Sequence, residues 1–284
     1  MKQRSDETRK GALFLIIGEA LLVLMAAMFK EIDTELNFFV KVFFRNVFGF
    51  ISIVLFLLLT NTLSLKTKVL KWHFFRTAVG LCGMYGFFYV IANMKLAEAS
   101  MVKLTAPFFL PIIAYFWLRE KIYINHIIAL IIGFVGVSVL LQPGTGSFQP
   151  IAIIGLVAAA FQSMAKVTIR KMSISEPFGR VIFFFGLFGS IITAIPAIFY
   201  WETPKNNIWL ILILLGFFGT SGQIFITKAY QIASPGKIGA YTYTSLVTSS
   251  LLGYFFWLEK LSWYIILGSA LIITAGLINL YNKK

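Results

Sequence analysis

The residues from Ile51 to Leu59 read ISIVLFLLL, and apolar stretches of this kind recur along the whole chain. A helix on the surface of a soluble domain keeps a polar face, and a barrel strand alternates over only about ten residues. Runs that are apolar on every side and about 20 residues long fit one solvent, the hydrocarbon core of a bilayer. Composition agrees: 13% of the 284 residues are charged, against about a quarter in a soluble domain. The fold class read from this is an all-α polytopic membrane protein.

Dividing the chain at polar, Gly and Pro interruptions gives ten spans: Gly11–Phe29, Phe38–Leu59, Phe74–Ala92, Ala97–Leu118, Ile127–Leu141, Ile151–Ile169, Val181–Tyr200, Ile208–Thr227, Ile238–Leu258 and Tyr264–Leu280. Five fall in each half. The expected organisation is an N-terminal tail (residues 1–10), a first five-helix repeat (11–143) and a second (150–284), with short connections and no soluble domain. The first apolar block lacks a small-residue cleavage site, so a signal peptide is not expected.

The net charge of +14 points to orientation rather than to nucleic acid, because the basic residues form no stripe interleaved with stacking aromatics. With a cytoplasmic N-terminus, cytoplasmic segments hold 17 of the 25 Lys and Arg. The opposite segments hold Lys30, Lys41, Lys95, Lys205 and Lys260, and the spans hold Arg45, Lys103 and Lys166. Cytoplasmic loops carry the excess of basic residues. Both termini and residues 66–71 are therefore expected on the cytoplasmic side of the cell (inner) membrane, and Gly144–Ser147 outside.

The two halves echo one another. Gly80, Gly83 and Gly86 in the third span match the spacing of Gly216, Gly219 and Gly222 in the eighth, at an offset of 136 residues. Leu96-Ala97 and Ile232-Ala233 share that offset, whereas Glu120 of WLREK and Glu259 of WLEK lie 139 apart, implying a small insertion between the landmarks. With five helices per repeat, the second repeat enters the membrane inverted, the arrangement of alternating-access carriers. Such glycines let helix backbones approach closely. Pro107 and Pro111 each remove a backbone donor, which marks the fourth span as a cavity-lining or hinge helix.

Ionisable residues inside a membrane are functional by default. Glu19 either binds a substrate ammonium or carries a proton, or else pairs with Arg45 or Arg76. Arg45 either holds a carboxylate or phosphate through its planar fork, or is fixed in an ion pair. Lys103 reads both ways. Arg76, Lys166 and Lys228 sit near span ends and are expected to snorkel. Tyr85, Phe88, Tyr89, Tyr241 and Tyr243 are candidate stacking walls for a cationic or flat substrate. Gln162 and Gln223 either recognise a polar head group or join helices.

Enzyme chemistry finds little support. His73 and His126 are the only histidines and show no metal-ligand spacing; there is no P-loop, and the two aspartates, Asp6 and Asp33, lie outside the spans. No cofactor or metal is expected. The expected partners are a small-molecule substrate and the lipid bilayer, and two fused repeats make a monomer sufficient. A scaffold or receptor is the remaining non-transport reading.

Three stretches carry a family resemblance: LAEASMVKLTAPFF (Leu96 to Phe109), IRKMSISEP (Ile169 to Pro177) and YTSLVTSSLLGYFFWLEK (Tyr243 to Lys260). With Arg45 in VFFRN and Arg76 in HFFRT, they resemble the EamA-like branch of the drug/metabolite transporter superfamily over nearly the whole chain. The resemblance implies a secondary transporter with a central cavity lined by spans one to four and six to nine. For substrate it implies a small polar or cationic metabolite, S-adenosylmethionine ahead of riboflavin, with export of amino acids or drugs as the alternative. One departure stands out: Ala26 occupies a position that is often acidic, leaving Glu19, two turns deeper, as the one carboxylate in the first span.

Overall fold

The computed structural model describes residues 2–94, 99, 102, 103, 105–119, 124–141, 151–258 and 263–280. Regular structure among them is helical throughout. The longer helices are α1 (Lys2–Glu31), α2 (Phe38–Leu59), α3 (Leu70–Asn93), α4 (Ala106–Leu118), α5 (Ile124–Leu141), α6 (Ile151–Met172), α7 (Phe178–Phe199), α8 (Trp209–Ile232), α9 (Thr244–Trp257) and α10 (Trp263–Leu280). Six segments, carried by α1, α2, α3, α6, α7 and α8, are long and apolar enough to cross a membrane.

The distribution of side chains is that of a protein dissolved in lipid. Leu59, Ile198 and Phe199 are 84%, 70% and 79% exposed, while Glu19, Arg45 and Arg76 are at most 3% exposed. Water would favour the reverse arrangement, whereas in lipid every polar group must be satisfied inside the protein. The external segment expected at Gly144–Ser147, and Glu120 and Glu259 of the repeat motif, lie outside the described residues.

Two spans differ from the sequence expectation. The ninth, expected as one helix over Ile238–Leu258, is built of a single turn (Pro235–Ile238), a 3-10 stretch (Gly239–Tyr243) and then α9. Thr244 Oγ1 and Ser245 Oγ donate to the carbonyls of Tyr241 and Thr242 at the junction, satisfying acceptors that a continuous helix would have used. In the fourth, Pro107 stands in the first turn of α4, where a missing N–H costs nothing. Pro107 thus starts a helix rather than breaking one, and Pro111 alone is interior.

Inversion of the second repeat follows from which loops meet. The connection after α2 joins the connection after α6: Thr67 Oγ1 donates to Glu176 at 2.8 Å, and Arg180 Nη2 to Ser64 Oγ at 2.6 Å. At the other end, the connection after α1 joins the connection after α7: Asn37 N donates to Glu202 at 2.7 Å, and Lys205 to Glu35 at 2.9 Å. Parallel repeats would bring the connections after α1 and α6 to the same end; here they lie at opposite ends. The packing has the same symmetry, with α1 on α8, α3 on α6, α2 on α7 and α5 on α10.

The register between repeats is 139–140 residues across α2 and α7, α3 and α8, and α5 and α10, not 136 with an insertion. α3 and α8 start 139 apart and end in extended caps at Met94 and Ala233, also 139 apart. α2 and α7 are offset by 140 at both ends. Arg119 and Leu258, again 139 apart, cap α4 and α9 with φ of 56° and 52°. Neither is glycine, so the same strained left-handed cap ends the fourth helix of each repeat. In this register Gly83 corresponds to Gly222. A Cβ on Gly83 would meet Gln162 Cγ at 2.7 Å and the Ala158 carbonyl at 3.0 Å; one on Gly222 would meet Leu22 Cδ2 at 2.8 Å and the Gly18 carbonyl at 2.9 Å. Equal glycine spacing had concealed a shift of one triplet step.

Candidate functional site

A cavity of about 80 Å³ lies between the repeats, lined by α1, α2, α3, α6, α7, α8 and Lys103. Five pairs of repeat-equivalent positions line it: Leu22 and Gln162, Met25 and Ala165, Arg45 and Phe185, Met84 and Gln223, and Phe87 and Ile226. A space bounded by both members of so many pairs sits on the axis relating the two halves.

Glu19 faces the cavity from the middle of α1, fully buried, and its carboxylate is held by two lysines. Lys103 Nζ is 2.7 Å from Oε2 and Lys166 Nζ is 3.4 Å from Oε1. Its ion-pair partners are thus Lys103 and Lys166, not Arg45 or Arg76. Lys103 also lies 5.3 Å from the centre of the Phe87 ring, and Lys166 lies 5.6 Å from that of Tyr230. Because α1, α6 and the segment holding Lys103 converge here, the carboxylate ties both repeats together at the cavity wall.

Arg45 and Arg76 flank Phe185, with guanidinium carbons 5.7 and 3.8 Å from its ring centre. Arg45 Nη1 donates to Asn46 at 2.9 Å, and Arg76 Nη2 donates to Gln223 at 2.8 Å across the repeat interface. Arg45 Nε and Arg76 Nε and Nη1 are buried without a hydrogen-bond partner. Gln162 Nε2 donates to the Gly83 carbonyl at 3.3 Å, so this amide joins helices at the same time as it borders the cavity.

Of the nine residues singled out in the sequence, Glu19, Arg45, Lys103, Gln162 and Gln223 come together on this cavity. The four tyrosines do not line it. Tyr85 packs beside the rings of Phe38 and Phe39, Tyr89 is 44% exposed, Tyr241 packs against the cluster around Leu15 and Ile226, and Tyr243 is buried elsewhere. Arg76 and Lys166, expected to snorkel, are instead 2% and 7% exposed and face the cavity; neighbouring helices enclose both positions. Phe185 was missed, although it stands 140 residues from Arg45 in an equivalent helix.

The two ends of the bundle differ in chemistry. Glu176 is 4% exposed and accepts from Thr67 and from Arg180 Nη1 at 3.0 Å. His73 Nε2 stands 3.2 Å away in poor hydrogen-bond alignment, and Gln231 donates to the Glu176 backbone carbonyl at 2.9 Å. Burial works to raise the Glu176 carboxyl, but hydrogen bonds from Thr67 and Arg180, with the neighbouring His73, outweigh it and hold the group below the ordinary carboxylate value. At the opposite end the Lys205–Glu35 pair is 70% and 39% exposed, beside Phe39 and Tyr200 rings stacked at 4.9 Å.

The EamA-like transporter family matches residues 9–142 and again residues 149–281. A protein named S-adenosylmethionine uptake transporter, from Rickettsia felis, is 28% identical, with 94% of this chain and 93% of the relative covered. A pseudopaline exporter from Pseudomonas aeruginosa is 26% identical, covering 98% and 99%. One crystal structure superposes with a TM-score of 0.71 at 21% identity, covering 96% of each chain, a likeness of fold.

Proposed function

The chain belongs to the EamA-like transporter family, and from that premise we propose that it is a secondary carrier of a small polar metabolite that works by rocking its two inverted repeats about the central cavity. The observation that carries this reading is the cavity on the repeat axis, walled by charged groups that lipid alone would not tolerate. Small-molecule sites measure roughly 300–1,000 Å³. A cavity of about 80 Å³ is therefore a contracted form, and accepting a metabolite requires the helices around it to part.

Glu19, Arg45, Lys103, Gln162 and Gln223 are assigned to the substrate site, joined by Arg76 and Lys166. The loops joined by Glu176 form one gate, and those joined by Glu202 and Lys205 form the other. S-adenosylmethionine is the first substrate to test, because uptake transporters bearing that name align over nearly the full chain. Export is the second reading, favoured by the similar coverage of the pseudopaline exporter. The charge distribution supports a topology with the Glu176 gate and both termini on the cytoplasmic side of the inner membrane, with the monomer, holding both repeats, as the working unit.

Uptake of labelled S-adenosylmethionine into proteoliposomes tests the assignment. Counterflow driven by unlabelled substrate inside the vesicle is expected. Binding without counterflow would make the protein a receptor, and neither binding nor counterflow would remove this substrate.

A further inference from the structure

The charges around the cavity do not balance. Arg45, Arg76, Lys103 and Lys166 face it with one carboxylate, Glu19, among the described residues. Glu19 is already engaged by both lysines. That pairing leaves one positive charge in excess at the Glu19 end and two on the arginines. An unneutralised charge held out of water is costly unless an opposite charge reaches it. The arginines also keep three buried guanidinium nitrogens without acceptors, and buried donors are rarely left so.

We propose that Arg45 and Arg76 form an oxyanion site, and that the metabolite carried bears a carboxylate or phosphate group bound there. Two observations converge on this. The first is the net positive charge among the described residues, which calls for an anionic group on the ligand. The second is geometry: both guanidinium groups border the same Phe185 ring, Arg76 over its face, and their free N–H groups are of the type that pairs with planar oxyanions. Asn46 and Gln223 each hold one nitrogen of the pair, so the arginines are oriented before any ligand arrives. Glu19, in turn, positions the two lysines rather than meeting a substrate ammonium directly. Position 45 corresponds to Phe185 in the second repeat, so one repeat supplies the charge and the other the ring. The inference rests on the cavity being the transport site, and it specifies which end of the substrate that site recognises.

For S-adenosylmethionine the group recognised would be the α-carboxylate. Decarboxylated S-adenosylmethionine keeps the sulfonium and the adenosyl group and lacks that acid, so it separates the anion from the rest of the molecule. Binding to the purified full-length protein should weaken by roughly 10- to 150-fold for the decarboxylated compound, the loss that follows from removing a charge-assisted hydrogen bond. Arg45→Gln and Arg76→Gln should abolish most of that difference, and Arg76→Lys, which keeps the charge without the fork, should retain part of it. Should neither adenosyl compound bind, the substrate assignment fails and the oxyanion site is judged separately. At matched ionic strength, inorganic phosphate or succinate should then raise the melting temperature of the wild type above that in potassium chloride or succinamide. Phosphate stabilising without succinate would identify a phosphorylated substrate; succinate alone would identify a carboxylate. Equal binding of the two adenosyl compounds, or no oxyanion stabilisation beyond chloride and succinamide where neither binds, overturns the proposal. These comparisons are made on the wild type, so they stand even if the glutamine variants fail to fold.

Discussion

The two ends of the bundle are joined by equivalent loop contacts made from different materials. In the inverted arrangement, the contact between the loops after α2 and α6 corresponds to that between the loops after α7 and α1. At one end a buried carboxylate, Glu176, gathers Thr67, Arg180 and His73. At the other, Glu202 accepts from the Asn37 backbone and an exposed lysine meets an exposed glutamate. A buried ion pair is expensive to break by removing one partner, whereas an exposed pair contributes little and is screened by salt. In the proposed mechanism these two contacts are the gates, and their chemistry sets which gate opens more readily. A carrier needs such a bias to be modest, since a ligand shifts the balance between two states only by its difference in affinity for them.

The largest expected effect follows from removing the buried carboxylate. Glu176→Ala should destabilise its end by about 3 kcal/mol, speeding hydrogen exchange in residues 60–69 and 173–177 while leaving residues 200–208 unchanged. Glu176→Gln, which retains an acceptor for Thr67, should be milder. Equal exchange at both ends in Glu176→Ala would dissolve the distinction between the gates.

Acidification should act on the same gate without mutation. The Glu176 carboxyl lies below the ordinary value of 4.5 in the folded protein. Its stabilisation is therefore complete above that value and is lost as pH falls through the lower, folded value. Exchange in residues 173–177 should rise over that acid window, and the rise should vanish in Glu176→Gln. A pH response unchanged in the variant would assign it to another group.

A test of the repeat correspondence comes next. Gly83→Leu and Gly222→Leu should lower stability by similar amounts, about 1–3 kcal/mol each from overpacking, because each added side chain strikes both a side chain and a backbone carbonyl. Tolerance of one and not the other would break the equivalence on which the comparison of gates depends.

The smallest effect is expected at the exposed pair. Pairing with Glu35 raises the Lys205 ammonium above its ordinary value, yet a pair this exposed is screened. Lys205→Ala should leave melting temperature and exchange unchanged within error, at low and high salt alike. A clear loss in the alanine variant would give that gate a strength its exposure denies.

Much of this architecture was legible in the sequence because lipid makes the code simple. Apolar runs such as Ile51 to Leu59 are read by length alone, and an odd number of spans per repeat dictates inversion. The site was partly legible for the same reason: a carboxylate within an apolar run, as at Glu19, has few places to go but inward. Pairing was not legible. Glu19 finds Lys103 and Lys166 because α1, α6 and the start of the fourth span converge, a tertiary fact that no local pattern encodes. The tyrosines misled because period and chemistry do not reveal which helix face meets the axis; Tyr85 lies one residue from Met84 on α3, yet Met84 borders the cavity and Tyr85 does not. The shift from 136 to 139 shows a related limit, since glycines spaced three apart align equally well one step out of register.

The most direct test of the central claim is accessibility at the cavity wall. Met84 borders the cavity and can be replaced by cysteine in a Cys82→Ala background, since the native thiol is exposed on the outer surface of α3. A negatively charged, membrane-impermeant sulfonate thiol reagent suits the positive cavity. Alternating access predicts that Met84→Cys reacts with the reagent applied from either side of the membrane, and that saturating substrate slows both reactions. Reaction from one side only, or equal rates with and without substrate, would contradict a central site opened in turn by two gates.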